Sequence, residues 1–136
     1  MNITFNESDQ NYLDKALKKY SANFRISIDL EYLLAEYQDF VTSVEDGYWF
    51  DSINYDNDLF IRSTLNMIRD GLSEDGQKKF DHYIGPIDDR FLKATTPIPR
   101  PLAGNFKEDI WWFYRIPRIL LKQLKESLID TGIIDP

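Results

Sequence analysis

The chain contains no cysteine and a single histidine, His82, among its 136 residues. Without thiols there is no disulfide scaffold, no thiolate metal site and no cysteine nucleophile. With one imidazole, histidine-built zinc sites and Ser-His-Asp machinery lack their parts as well. Apolar runs are short, and none nears the roughly 18 residues that a membrane span requires. Gly71, Gly76 and Gly85 stand too far apart for a phosphate-cradling loop, and no Gly-Lys-Ser/Thr occurs. The opening Met-Asn-Ile-Thr-Phe-Asn-Glu lacks the basic and then apolar stretch of a secretory signal. The expectation is a soluble, cytoplasmic protein with no cofactor, no metal and no membrane partner.

What the chain does have is apolar material and acid. Hydrophobic residues make up 43% and aromatics 15%, enough for a real core and too much for an intrinsically disordered chain. The length suits one domain, spanning 1–136. The net charge of −7 is unevenly spread. Between Ile26 and Ile61 there is no Lys or Arg, but there are nine acids: Asp29, Glu31, Glu36, Asp39, Glu45, Asp46, Asp51, Asp56 and Asp58. From Arg90 to Lys125 eight bases face only Glu108 and Asp109. Either the two regions lie side by side and neutralise each other, or the acidic stretch steers a basic partner.

Periodicity predicts helices throughout. Leu13, Ala16, Leu17 and Tyr20 fit a short helix over 11–20. Leu30, Leu33, Leu34, Tyr37, Val41 and Val44 form one face of a helix over 29–45, capped by Ser27 or Asp29 and stopped at Gly47. The segment 48–55 reads as a connection packed by its own rings. A third helix is expected over 56–72, with Ile61, Leu65, Ile68 and Leu72 inward and Asp56 as its cap. Ser73 can cap a fourth running towards Thr95, with Phe80, Ile84, Ile87 and Phe91 inward and Pro86 kinking or splitting it. Pro97, Pro99, Pro101 and Gly104 predict a stiff, extended crossover near 97–104. A last helix is expected over 118–130, with Pro117 in its first turn, Leu121, Leu124 and Leu128 inward and Thr131-Gly132 at its end. Four or five amphipathic helices without a strand pattern give an all-α, single-domain bundle.

Catalytic constellations are thin. Asp81-His82 reads as a surface or capping pair. The pairs Asp56/Asp58, Asp88/Asp89 and Asp51/Asp56 show no demonstrable cleft for acid–base work. Asp56-Asn57-Asp58 opens like a calcium loop, but Ile61 stands where glycine is required and Met67 where glutamate is. A non-enzymatic protein is therefore expected. Two aromatic clusters remain. Trp111, Trp112, Phe113 and Tyr114, beside Arg115 and Arg118, read either as core with an arginine stacked on a ring or as a platform for nucleic-acid bases. Tyr48, Trp49, Phe50 and Tyr55 sit among acids with no intervening base. They read either as packing of a helix corner or as a protein-binding surface. The candidate partner-binding residues are Glu45, Asp46, Tyr48, Trp49, Asp51, Tyr55, Asp56 and Asp58.

In overall character, and in the acidic, Tyr- and Trp-bearing 26–61 segment, the chain resembles bacterial immunity proteins of contact-dependent inhibition systems and nuclease bacteriocins. That resemblance implies a protein without activity of its own that binds and neutralises a cognate toxin, often a basic nuclease. The acids would imitate the polyanion that a nuclease groove is built to hold, and the rings would supply affinity. The alternative is a structural or regulatory interaction domain with some other basic protein as partner, or a homodimer. Nucleic-acid binding through the basic and aromatic 90–125 stretch is a third reading, whereas the acidic half would repel phosphates.

Overall fold

Helical periodicity becomes five helices in the computed structural model, which describes residues 3–22, 27–102 and 110–136. They are α1 (Glu7–Ser21), α2 (Leu30–Asp46), α3 (Ser52–Asp70), α4 (Glu74–Ala94) and α5 (Lys122–Asp130). Two three-residue strands, β1 (Thr95–Pro97) and β2 (Arg115–Pro117), and a single 3₁₀ turn, Trp111–Tyr114, lie between α4 and α5. The architecture is mostly all-α, as expected, with this small antiparallel sheet added.

The first four helices each start where a short polar side chain can accept an otherwise unpaired backbone N–H. Asn6 accepts from Asp9 N at 2.8 Å, Asp29 from Tyr32 N at 2.8 Å, Asp51 from Asn54 N at 2.9 Å, and Ser73 from Gly76 N at 3.1 Å. Two of these caps move helix starts away from their expected places. Asn6 opens α1 at Glu7, four residues ahead of Asn11. Asp51 opens α3 at Ser52, so Asp56 lies inside the helix and is not its cap. Pro86 neither splits nor ends α4, because Ile84 and Ile87, buried on either side, hold the helix across the one missing donor.

The prolines after α4 behave differently from a plain crossover. Thr95 lies opposite Pro117, Thr96 opposite Ile116 and Pro97 opposite Arg115, so prolines stand in both strands of a two-stranded ladder that is all edge. Pro117 therefore belongs to a strand and not to the last helix, which begins at Lys122. Arg115 secures the junction by donating to Thr95 Oγ1 at 2.7 Å and to the carbonyls of Thr95 and Leu92 at 3.0 and 3.2 Å. Arg118 donates to Lys93 O at 2.9 Å. These cations meet the unpaired carbonyl end of α4, where the helix dipole favours them. Gly104 lies outside the described residues.

One apolar core joins α2, α3 and α4, with Tyr37, Val41, Tyr55, Leu59, Phe91 and Phe113 fully enclosed. A charged network runs through it. Arg62, 5% exposed, donates twice to Asp88 at 2.9 Å, and the Tyr37 hydroxyl donates to the same carboxylate at 2.6 Å. The guanidinium also lies 4.6 Å from the Trp112 ring centroid. Of the aromatic run, Trp112 and Phe113 are core while Trp111 and Tyr114 are half-buried. The stacked arginine is Arg62, not the neighbouring Arg115 or Arg118. At the far end, Asp9 of α1 accepts from Ser73 N at 2.9 Å and from Ser73 Oγ at 2.5 Å, fastening α1 to the α3–α4 turn. No described helix is long and apolar enough to cross a membrane.

Candidate functional site

The site begins with the end of α2. Gly47 adopts φ +110°, a conformation that side chains with a Cβ rarely reach, so the chain can leave the helix sharply at this point. Tyr48 then turns inward. It is 2% exposed, its ring packs edge-on against Phe40, Phe50 and Tyr55, and its hydroxyl donates to Asp58. Tyr55 is fully enclosed and donates to Arg115 O at 3.1 Å. Both tyrosines were expected at a partner surface. Their burial makes them the frame of the corner and not its contact face.

With Tyr48 drawn in and Asp51 capping α3, the intervening residues are forced outward. Trp49 is 75% exposed, Phe50 55% and Ile53 69%. Trp49, Phe50, Leu121, Lys122 and Gln123 line a hollow of about 570 Å³ beside them. Ile119, also exposed, extends the apolar surface past Gly47. Three large apolar side chains within five residues, projecting from a rigid turn, are more than the scattered apolar residues of an ordinary surface.

The acids of the corner have divided roles. Glu45 is paired with Arg90 at 2.6 Å, and the hydrogen bonds from that guanidinium hold its carboxyl below the usual range. Here the acidic and basic regions do meet. Asp51 is committed to its cap, and Asp58 to the Tyr48 hydroxyl. Asp56 is half-buried, its Oδ1 has no hydrogen-bond partner, and desolvation pushes its pKa up to about 6. Burial first, and then the carboxylates of Asp58, Asp51 and Asp56, raise the Tyr48 phenol far above its ordinary value. Asp46 is exposed.

Of the eight expected residues, Trp49 and Asp46 stand at the surface, Glu45, Tyr48, Asp51, Tyr55 and Asp58 hold the corner through hydrogen bonds, and half-buried Asp56 has an Oδ1 without a partner. Ile53 and Lys122 escaped the sequence reading, and Leu121, expected inward on the last helix, stands half-buried just before that helix and lines the hollow. The signal for Ile53 was the Asp51 cap: a helix starting at Ser52 turns Tyr55 and Leu59 inward and leaves Ile53 outside. The three-residue spacing from Asp51 to Asn54 was the available clue.

His82 is exposed on α4, and no cluster of three or more metal-ligating side chains exists among the described residues. Asp56-Asn57-Asp58 lies on a helix, which a calcium loop does not. Set against known protein families, curated proteins and solved structures, the chain matches none of them.

Proposed function

We propose that this chain is a protein-binding domain that holds a basic partner through the α2–α3 corner, in the manner of an immunity protein holding its toxin. The observation that carries the reading is the joint exposure of Trp49, Phe50 and Ile53 on a turn fixed from behind by Tyr48, Tyr55 and Asp51. Aromatic side chains held rigid before binding lose little entropy on complex formation and make strong central contacts. The partner would insert an apolar side chain into the hollow beside Trp49 and set bases over Asp46 and the outer oxygens of Asp51. The 111–114 run adds little to a nucleic-acid reading, because Trp112 and Phe113 are enclosed and Arg115 and Arg118 are occupied with carbonyls.

A second reading, an interaction domain whose partner is not a toxin, is favoured by one feature. Lys122 lines the hollow and Arg90 neutralises Glu45, so the corner is of mixed sign and not a polyanion. Capture from the source cell with tagged wild type and with Trp49→Ala separates these readings. The expected result is one basic protein retained by the wild type and lost by the variant, whose expression alone arrests growth and whose co-expression with this chain does not. A captured protein without toxicity would favour the second reading. Equal recovery by both baits would remove the corner as the binding face.

A further inference from the structure

Beside the end of α4 lies a separate hollow of about 270 Å³, lined by Arg90, Lys93 and Arg118 together with Glu45 and Ile119. Glu45 is the one carboxylate among its described lining residues, and Arg90 already holds it at 2.6 Å. Lys93 and Arg118 form no ion pair among the described residues. Arg118 gives its Nε to Lys93 O at 2.9 Å, which fixes the guanidinium and leaves both Nη groups without a hydrogen bond to any described residue. Burial, and then the charge of Arg118, lower the pKa of nearby Arg115, a sign of positive charge in excess at this end. A helix C-terminus carries about half a negative charge, so it offsets only part of a hollow with three cations and one acid. The hollow adjoins the apolar one beside Trp49. Tyr48 and Leu120 pair in an isolated parallel bridge, with Ile119 before it lining the basic hollow and Leu121 after it lining the apolar one. Both side chains reach Gly47, where an added Cβ would lie 3.5 Å from Ile119 Cγ2 and 3.3 Å from Leu121 Cδ1.

We propose that the protein held at the α2–α3 corner places an aspartate or glutamate side chain between Lys93 and Arg118, while an apolar side chain of the same segment enters the hollow beside Trp49. The inference rests on the corner being the binding face and adds the polarity of what it binds. A guanidinium with two uncommitted nitrogens matches a carboxylate's two oxygens, and an adjacent lysine adds a point charge. With the partner's bases at Asp46 and its acid at Lys93 and Arg118, only one direction across the corner satisfies both signs. The whole chain carries −7, so its long-range field favours basic partners. An acid accepted at this one place is therefore a local choice, and it separates the true partner from other basic proteins.

A display library of random peptides, selected on the immobilised full chain, tests this before any partner is identified. The expected peptides join an aromatic or aliphatic residue to an Asp or Glu and are not recovered on Trp49→Ala. One of them, made with its acid and with the corresponding amide, is then measured by fluorescence anisotropy. The acid form is expected to bind the wild type more than about tenfold tighter than the amide. That difference is expected to vanish on Lys93→Gln/Arg118→Gln, which removes both charges and keeps hydrogen-bond donors. Lys93→Glu leaves the Arg118 bond to Lys93 O in place and is expected to disfavour the acid form; it replaces the double variant if circular dichroism shows that one unfolded. Trp49-dependent peptides that carry no acid, or whose acid counts equally on the double variant, overturn this inference and leave the corner standing. Peptides indifferent to Trp49→Ala, or a library that yields none, remove the corner and the inference with it.

Discussion

Two tyrosine–aspartate pairs stand within the same helical bundle and differ in one respect. Tyr37 donates to Asp88, which is itself gripped by both arms of Arg62. Tyr48 donates to Asp58, and the carboxylates of Asp51 and Asp56 add to the rise of its pKa. The first arrangement pairs its charge inside the core, with Arg62 Nη1 left without a hydrogen-bond partner. The second leaves one half-buried carboxylate, Asp56, with an oxygen that has no partner, in the same turn and helix start as the exposed Trp49. A buried carboxylate with a bidentate cation is stabilised in place; one without a cation is a standing cost that surrounding structure must offset. The difference separates a part of the molecule built for holding together from a part whose arrangement is not explained by stability.

Breaking the closed pair gives the largest expected effect. Asp88→Ala leaves a buried guanidinium without its anion and is expected to destabilise the fold by about 3–5 kcal/mol in urea titration. The double change Arg62→Met/Asp88→Leu removes both charges and should recover most of that loss. At the corner, Asp58→Ala deprives only the Tyr48 hydroxyl of its acceptor, and a loss of about 1–2 kcal/mol is expected. A loss at Asp58 as large as that at Asp88 would show that the corner is as integral to the core as the Arg62 network.

Asp56 sharpens the comparison by its sign. Its pKa is raised from 3.8 to about 6 in the folded protein, so the native state holds a proton that the unfolded chain releases between those values. Its contribution to stability is thus greatest below the unfolded pKa and is lost as pH rises through the folded one. Asp56→Asn is expected to stabilise the protein at pH 7 by about 1 kcal/mol, reduced by solvent screening of a half-buried group. The same variant should flatten the stability profile between the two values, as measured by denaturation at a series of pH values. An Asp56→Asn protein that is less stable at pH 7 would mean that its carboxylate has a stabilising role.

The inward stripes of the helices were legible because each is a local pattern: Leu33, Tyr37, Val41 and Val44 on α2, and Phe80, Ile84, Ile87 and Phe91 on α4, are all buried. The caps at Asp29 and Ser73 were legible for the same reason. Arg62 was not, since its burial depends on Asp88, 26 residues further on, and on the Trp112 ring. The β1–β2 pairing joins two proline-bearing triplets 20 residues apart, and no periodicity in either predicts the other. At the corner the cluster of rings and acids was visible, but its inside and outside were not. Reading Asp56 as the cap placed Tyr55 before the helix, where its orientation was open. Starting α3 at Asp51 decides that Tyr55 is core and Ile53 is surface.

That assignment of inside and outside makes the smallest stability prediction the most telling one. Trp49→Ala removes a ring that is 75% exposed, and its stability is expected to change by less than about 0.5 kcal/mol. Tyr55, six residues on in the same cluster, has no exposed surface at all, so truncating it would report on folding alone. Trp49 is therefore the position at which binding can be lost while the fold is kept. If urea titration shows Trp49→Ala destabilised by as much as a core truncation, the ring packs against the protein and the exposed corner loses its central contact. If stability holds and partner capture falls, the energy stored in exposing an indole to water is being spent on recognition.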